Sequence, residues 1–280
     1  SAASDVYKRQ GLILVEGLGW WTKPTFATPT VPIEPDGSFV ADVVTGGLDN
    51  RATIFFAALV PAGVDPPLAN GASCLPTFGD VALAMHSVER YGRTLSFAGL
   101  QWGVKEAPLP VGPGPNRYSF DEDDVWVDEQ GLHLTLTFDE GAWRSTEVVL
   151  LDRPGYGFYW FTTSSRLDIL DPNVVFAGFT WDNYCSDSEP ADPHRELDIE
   201  DSRWGDGADP TNAQFVVQPY TLPGNLERYT IPDLSDDTAL TRVLHWHPCQ
   251  ARFIALRAAA DPFSFEDDDL ILSLIHISEP

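Results

Sequence analysis

The sequence is poor in positive charge and contains no long apolar segment. Its 280 residues include 17 Lys and Arg against 42 Asp and Glu, which gives a formal net charge of −25. A surface of this charge repels the phosphates of nucleic acids and of anionic membranes. No apolar run reaches the roughly 18 residues that a transmembrane helix needs. The composition therefore disfavours nucleic acid and membrane as partners and predicts an acidic globular protein.

Cysteine is also scarce, with one residue each at positions 74, 185 and 249. Their wide spacing lacks the C-x-x-C pairs that are typical of zinc or redox sites. A Cys185–Cys249 disulfide is left open. The chain also lacks a G-x-S-x-G, a Walker or a G-x-G-x-x-G motif, so no nucleophile elbow or phosphate-binding loop is predicted.

Turn-forming residues and strand-favouring aromatic residues are abundant. The chain has 22 Gly and 23 Pro, together with 9 Trp, 8 Tyr and 16 Phe. This composition favours many short strands separated by turns. Predicted strands cover residues 11–15, 39–44, 52–60, 132–137, 158–164, 196–200, 213–218 and 252–256. Strands at such regular spacing predict an all-β fold of sandwich or jelly-roll type.

The two ends of the chain resemble translated DNA of a transposase-type sequencing adapter. Residues 1–10 match one frame of the adapter, and residues 272–280 match its opposite strand. We therefore expect these segments to be artefacts and the natural chain to be longer. Between them, residues 11–96 predict a β-sandwich accessory domain. Its Trp20 and Trp21 are core aromatics or, as the alternative, a platform for sugar binding.

One short segment alternates three carboxylates with two aliphatic residues, in the order Glu196, Leu197, Asp198, Ile199 and Glu200. Side chains of a strand alternate between its faces, so the three acids are predicted to share one face. Three adjacent carboxylates repel one another. The arrangement points to chemistry, with a solvated edge strand or a calcium-binding face as the alternatives.

Hydrolysis of a glycosidic bond with retention of the anomeric configuration explains the spacing of the three acids. It needs two carboxyl groups roughly 5–5.5 Å apart, one as nucleophile and one as acid/base. The Cα atoms of Glu196 and Glu200 lie about 13 Å apart on a strand, and each side chain reaches roughly 4 Å towards the other. The middle acid must then be short, as Asp198 is. Its charge and hydrogen bonding can hold the nucleophile and raise the pKa of the acid.

The same five residues resemble the E-x-D-x-E signature of glycoside hydrolase family 16. Other segments similar to the family follow in its order between about residues 97 and 256, and they are 125–132, 145–148, 155–157, 179–181, 213–215, 246–248 and 252–254. The resemblance implies a concanavalin-like jelly roll over residues 97–271, truncated at its C-terminus and preceded by the smaller accessory domain.

The resemblance also implies roles for individual residues. Glu196 would be the nucleophile, Asp198 its assistant and Glu200 the general acid/base. Sugar contacts are expected from polar side chains at the family's contact positions and from two nearby aromatic rings, namely Glu147, Gln214, Gln218, Trp181 and Trp204. No metal ligand and no organic cofactor are implied, while a structural calcium is left open.

The implied protein is a secreted, monomeric, endo-acting glycosidase whose signal peptide is not present in this chain. Its substrate would be a β-1,3- or mixed β-1,3/1,4-glucan, with a galactan as the alternative. The chain differs from the family pattern at Asp201, where relatives carry an aromatic or aliphatic residue. The Trp before the signature is absent, and His194 and Arg195 stand there. A non-catalytic carbohydrate-binding protein derived from such a hydrolase is therefore the alternative function.

Overall fold

The computed structural model describes residues 6–183, 196–235, 238–257 and 261–277, and the fold is all-β. Within these ranges the helical segments are short 3₁₀ turns at Asp49–Arg51, Gly79–Val81, Leu167–Ile169 and Asp267–Asp269. The chain divides into two compact units, Ser1–Arg153 and Pro154–Pro280. The predicted all-β class is confirmed. The domain boundary predicted between residues 96 and 97 stays a prediction.

The first unit is built from fifteen described strands. They are β1 (Tyr7–Val15), β2 (Gly19–Lys23), β3 (Thr30–Pro32), β4 (Ala52–Pro61), β5 (Asn70–Ala72), β6 (Ala84–Glu89), β7 (Arg93–Phe97), β8 (Leu100–Val104), β9 (Ala107–Val111), β10 (Asn116–Tyr118), β11 (Val125–Asp128), β12 (Gly131–Leu134), β13 (Thr137–Asp139), β14 (Ala142–Ser145) and β15 (Val148–Leu150).

A six-stranded antiparallel sheet dominates this unit. Its order is β5-β2-β1-β4-β6, and β3 pairs with the start of β1. Burial alternates strictly along β4, which is the pattern of a strand with one face on a core. On the buried side, Phe56 packs against Phe78 with ring centroids 5.1 Å apart. Smaller sheets join β13-β14-β10-β9, β15-β8-β7 and β11-β12.

The second unit contains two four-stranded sheets. Its strands are β16 (Gly157–Thr163), β17 (Phe176–Phe179), β18 (Leu197–Asp201), β19 (Ala213–Val217), β20 (Leu226–Tyr229), β21 (Leu240–His247), β22 (Gln250–Arg257) and β23 (Leu270–Ile277). One sheet has the order β16-β21-β22-β23 and the other the order β17-β18-β19-β20. All pairings within the two sheets are antiparallel.

A single apolar core lies between these two sheets. Leu197, Ile199 and Phe215 from one sheet share it with Leu244 and Phe253 from the other. The rings of Phe215 and Phe253 stack with centroids 5.1 Å apart. Burial of this apolar area, at roughly 25 cal/mol per Å², holds the β17–β20 sheet against its neighbour. The candidate site lies on the opposite face of the β17–β20 sheet.

Several predicted strands are confirmed to within a few residues, and two are not. Residues 39–44 form no strand: Val40 is 89% exposed, and the Val44 amide donates to the Asp42 carboxylate, 3.1 Å away, instead of to a ladder. The strand predicted over residues 132–137 is broken into β12 and β13. The Thr135 amide donates to the Asp124 carbonyl in the register of the β11–β12 pairing, whereas Thr137 pairs with Arg144 of β14, so the segment changes partner between these residues.

The segments that resemble adapter sequence take part in the sheets. Residues 7–10 belong to β1, where Gln10 is fully buried and its amide donates to the Pro67 carbonyl at 2.6 Å. Residues 272–277 belong to β23, which pairs with β22. Strand formation does not test where a segment comes from, so the adapter assignment stays a prediction.

Candidate functional site

The three predicted catalytic carboxylates lie on β18 or directly before it. Leu197 pairs with Val217 and Glu200 pairs with Gln214 across β19. The ladder extends to Glu196, whose carbonyl accepts a hydrogen bond of 3.0 Å from the Gln218 amide. On the other side, Phe179 of β17 pairs with Asp198. The acidic segment is therefore held in an interior strand of the sheet.

Strand alternation divides β18 into two faces. Leu197, Ile199 and Asp201 are buried on the side of the core, with at most 3% exposure. Glu196, Asp198 and Glu200 take the alternate positions and so share the opposite face. The two glutamates are half-buried. The structure thus brings the three predicted carboxylates together on one face.

Asp198 is the most buried of the three carboxylates, with 4% exposure. Burial, together with the charges of Glu196 and Glu200, raises the pKa of Asp198 to about 8, although a hydrogen bond from Gln218 opposes the rise. That bond runs from Gln218 Nε2 to Asp198 Oδ2 over 3.0 Å. The Gln218 oxygen accepts from the Tyr220 amide at 3.1 Å, which fixes the orientation of the Gln218 side chain. Asp198 therefore keeps its proton to a higher pH than an ordinary aspartate does.

Glu200 accepts a hydrogen bond of 2.5 Å from Gln214 Nε2. Gln214 is oriented in turn by Arg228 on β20, whose Nη1 donates to the Gln214 oxygen at 3.1 Å. Burial raises the pKa of Glu200, while the Gln214 bond and the Arg228 charge lower it, and the net direction is upward. A carboxyl group of raised pKa with a fixed partner is suited to proton transfer.

Arg228 links this network to an aromatic ring. Its Nη2 donates to Asp209 at 2.7 Å, and its guanidinium lies 4.7 Å from the ring centroid of Trp204. Trp204 adopts a φ of 46° and is 41% exposed. The Trp204 indole is therefore held in place while much of it stays accessible. Trp181, the other predicted aromatic contact, is 58% exposed and donates from Nε1 to Asn183 at 3.1 Å.

Glu147 lies in the first unit, whereas all the other predicted site residues lie in the second. Its carboxylate accepts a hydrogen bond of 3.0 Å from Lys105. Lys105 also donates to the Gly112 carbonyl at 2.8 Å and lies over the ring of Tyr118. Burial raises the pKa of Glu147, and Lys105 opposes this. Lys105, the ion-pair partner of Glu147, lies in the same unit.

Sequence reasoning missed Arg228 and Asp209, which hold Gln214 and Trp204 in place. Neither lies in a recognisable motif, and the contact between Arg228 and Gln214 depends on the register of β19 with β20. Only the pairing of the strands could have identified them. The departure noted at Asp201 is explained by Arg242, which donates to it at 2.8 Å inside the core.

In the described ranges, no group of three or more His, Cys, Asp or Glu side chains is arranged to hold a metal ion. Cys249 is exposed and its thiol is free, so the Cys185–Cys249 disulfide is not formed. Cys185 itself, like His194 and Arg195, lies outside the described residues.

Comparison with known proteins adds no relative. No protein-family model, no curated protein and no solved structure matches the chain. Among the described residues, no helix has the length and apolar character needed to cross a membrane. The candidate site therefore stands on its own geometry: three carboxylates on one strand face, two glutamines that donate to two of them, and two accessible indole rings in the same unit.

Proposed function

We propose that this chain is a retaining, endo-acting glycoside hydrolase that cleaves a β-linked polysaccharide. The observation that carries the proposal is the shared face of Glu196, Asp198 and Glu200, on which burial and the outer pair raise the pKa of Asp198. Two glutamates four residues apart on a strand can bring their carboxyl groups to the roughly 5–5.5 Å that retaining catalysis requires. A purely structural strand gains nothing from this repulsion.

The two glutamates divide the chemistry between them. Protonated Glu200 gives its proton to the glycosidic oxygen as the bond to the anomeric carbon breaks, while the Glu196 carboxylate attacks that carbon from the opposite side. The result is a glycosyl ester on Glu196 and a released sugar chain. Glu200, now ionised, takes a proton from a water molecule whose oxygen attacks the anomeric carbon, and Glu196 leaves.

Asp198 and the glutamines prepare the glutamates for these roles. A protonated Asp198 can donate a hydrogen bond to a neighbouring carboxylate, and it places no third charge beside the nucleophile. Burial raises the pKa of Glu200, which favours its protonated form, the form that a general acid needs. Gln214, fixed by Arg228, donates to Glu200 and supports its ionised form after proton transfer.

The family resemblance supplies the finer features of the proposal. Residues 97–271 would form a concanavalin-like jelly roll, for which the two packed sheets of the second unit are the supporting observation. The substrate would be a β-1,3- or β-1,3/1,4-glucan, or alternatively a galactan. The enzyme would be secreted and would act as a monomer on extracellular polysaccharide.

The test is the release of reducing ends from a panel of β-glucans and galactans. We expect the unmodified chain to release them, and Glu196→Ala and Glu200→Gln to lose at least 10³-fold in kcat. Glu227→Gln is the matched control. Glu227 is an exposed glutamate of β20 that pairs with the core residue Phe215, so it lies on the face of the sheet opposite to the three carboxylates. Proton NMR of the first product should show the anomeric configuration of the substrate.

The second candidate is a non-catalytic carbohydrate-binding protein. The observation that favours it is the exposure of Trp181 and Trp204, whose rings can stack on sugars without any reaction. A folded chain that binds the panel through these two rings but releases no reducing ends would establish this function and overturn the hydrolase.

A further inference from the structure

A cavity of about 330 Å³ lies in the first unit, between β2 and the loop that precedes β4. Trp21 and Lys23 alternate with the buried Trp20 and Thr22 on β2, so they share one face of the strand. Val15, Leu18 and Leu48 complete the apolar part of the lining, and Asp49 faces Lys23. The volume is at the lower end of the roughly 300–1,000 Å³ typical of small-molecule sites.

A buried ion pair forms the polar part of this cavity. Lys23 Nζ donates to Asp49 Oδ2 at 2.5 Å and to Thr45 Oγ1 at 3.1 Å. The amides of Thr45 and Gly46 donate to the same Oδ2 at 2.9 and 3.0 Å. All the hydrogen bonds that Asp49 accepts through its side chain in the described part of the chain end on Oδ2. Oδ1 is left as an unused acceptor.

The contacts of Asp49 set its protonation state. Burial alone raises the pKa of Asp49, but hydrogen bonds from Lys23, Thr45 and Gly46 outweigh it and hold the pKa below its ordinary value. Asp49 is therefore ionised and can only accept hydrogen bonds, while Lys23 can only donate. The pair as a whole is neutral. It offers one donor and one acceptor without favouring a charged ligand.

The aromatic wall is fixed before any ligand arrives. Trp21 Nε1 donates to the Leu18 carbonyl at 3.2 Å, which sets the orientation of the indole. Gly71, at a φ of 78°, lies so close that an added Cβ would stand 3.4 Å from Trp21 Cζ2. Trp21 also packs on the small cluster of Ile13, Val15 and Ala52. A rigid indole loses little conformational freedom on binding.

From these features we infer that the cavity is a binding site for one neutral pyranose unit. A sugar ring combines an apolar C–H face, which suits Trp21 and Leu48, with hydroxyl groups that each donate and accept. Such a hydroxyl can donate to Asp49 Oδ1 while it accepts from Lys23. Anionic ligands are opposed by the neutral pair and by the net charge of −25. The site is separate from the Glu196–Glu200 face and does not depend on the hydrolase proposal.

Calorimetry and saturation-transfer NMR with glucose, galactose and short β-glucan oligosaccharides test this inference, using the full chain with Glu196→Ala so that no substrate is consumed. Trp21→Ala should weaken binding at least tenfold. Leu48→Trp should block it by filling the cavity from a position that is 40% exposed, with no buried polar group lost. Trp143→Ala is the matched control, because Trp143 is 65% exposed in the same unit and does not line the cavity.

The outcomes separate this site from the carboxylate face. Binding that Trp21→Ala and Leu48→Trp weaken, with an unchanged urea midpoint for Leu48→Trp, supports the inference. The ranking of free hexose against oligosaccharide then shows whether the ligand is a single sugar or one unit of a chain. Pyranose binding that survives both variants, or an unmodified cavity that binds no pyranose, overturns it. If the cavity binds pyranose while the chain with Glu196 intact releases no reducing ends, only the hydrolase is overturned.

Discussion

The carboxylate of Asp201 accepts a hydrogen bond of 2.8 Å from Arg242 Nη2, and both side chains are almost completely withdrawn from solvent. Asp201 is the last residue of β18 and Arg242 lies on β21, so this ion pair joins the two sheets across their core. The strand that carries the candidate catalytic acids is therefore anchored by a charge pair on its other face. Asp201 Oδ2 and Arg242 Nε have no hydrogen-bond partner in the described structure.

Removing one member of this pair should be more damaging than replacing both. Asp201→Ala or Arg242→Ala leaves a buried charge without its partner, which costs about 3–5 kcal/mol, whereas a well-packed apolar pair is often neutral or stabilising. We expect Asp201→Leu combined with Arg242→Met to recover most of the stability that each alanine variant loses. Urea unfolding of the three variants beside the unmodified chain measures this. A double variant less stable than either single one would contradict it.

Because folding favours the protonated form of Asp198, the protein should become less stable as the pH rises. The pKa of Asp198 is about 8 in the folded chain and about 3.9 in an unfolded one. Between these values the folded state holds a proton that the unfolded state has released, so the free energy of unfolding falls with rising pH, by at most about 1.4 kcal/mol per pH unit. Above the folded pKa the dependence ends.

Asp198→Asn tests this pH dependence, since asparagine stays neutral. The urea midpoint of the unmodified chain should fall between pH 5 and pH 8, and that of the variant should fall less. The comparison needs no activity and so is independent of the proposed reaction. Equal slopes in the two proteins would show that Asp198 is ionised across this range.

Gln214 should control the alkaline side of the pH profile. Its hydrogen bond favours ionised Glu200, so Gln214→Leu raises the pKa of Glu200. A general acid must be protonated, so a higher pKa of Glu200 extends activity to higher pH. A hydrogen bond to a charged group contributes about 1.5 kcal/mol, which corresponds to about one pKa unit. We therefore expect the alkaline limb of the kcat/KM profile to move up by about one pH unit. Gln218→Leu is the control, because Gln218 donates to Asp198. An identical shift in both variants would argue against a specific role of Gln214.

Gly178 should be intolerant of a side chain. It pairs with Ile199, and an added Cβ would lie 2.6 Å from Phe161 Cε1. Phe161 is held against Phe176, with ring centroids 6.0 Å apart, so Gly178→Ala should lower the free energy of unfolding by about 1–3 kcal/mol through overpacking. Gly157→Ala, where the added Cβ meets nothing within 4 Å, should leave the urea midpoint unchanged.

Much of the fold was predictable where hydrophobic alternation is strong. The strands over residues 52–60 and 213–218 were identified because their apolar residues recur with period two or in a short buried run. The strand at Leu240–His247 was missed because Arg242 occupies a core-facing position and obscures that pattern. Residues 39–44 have strand composition but no partner strand, and β-propensity reflects packing against neighbours more than an intrinsic preference of the backbone.

The candidate site was also predictable only in part. The common face of Glu196, Asp198 and Glu200 follows from their spacing alone, because strand geometry is local. The raised pKa of Asp198 could not be foreseen, since its largest cause is burial in the folded chain. Nor could the contact of Arg228 with Gln214, which needs a particular register between β19 and β20. Glu147, assigned from the order of segments along the chain, lies in the other compact unit.

The all-β class, the acidic character of the chain and the alternation that places three carboxylates on one side of a strand can all be read from the order and composition of the residues. These features depend on composition and on the period of the strand, both of which are local. The burial of Asp198, the hydrogen bond that Gln218 donates to it and the pairing of Asp201 with Arg242 across the core arise only in the folded chain. Burial and pairing join residues that are distant along the chain, and no local pattern records which distant residues will meet.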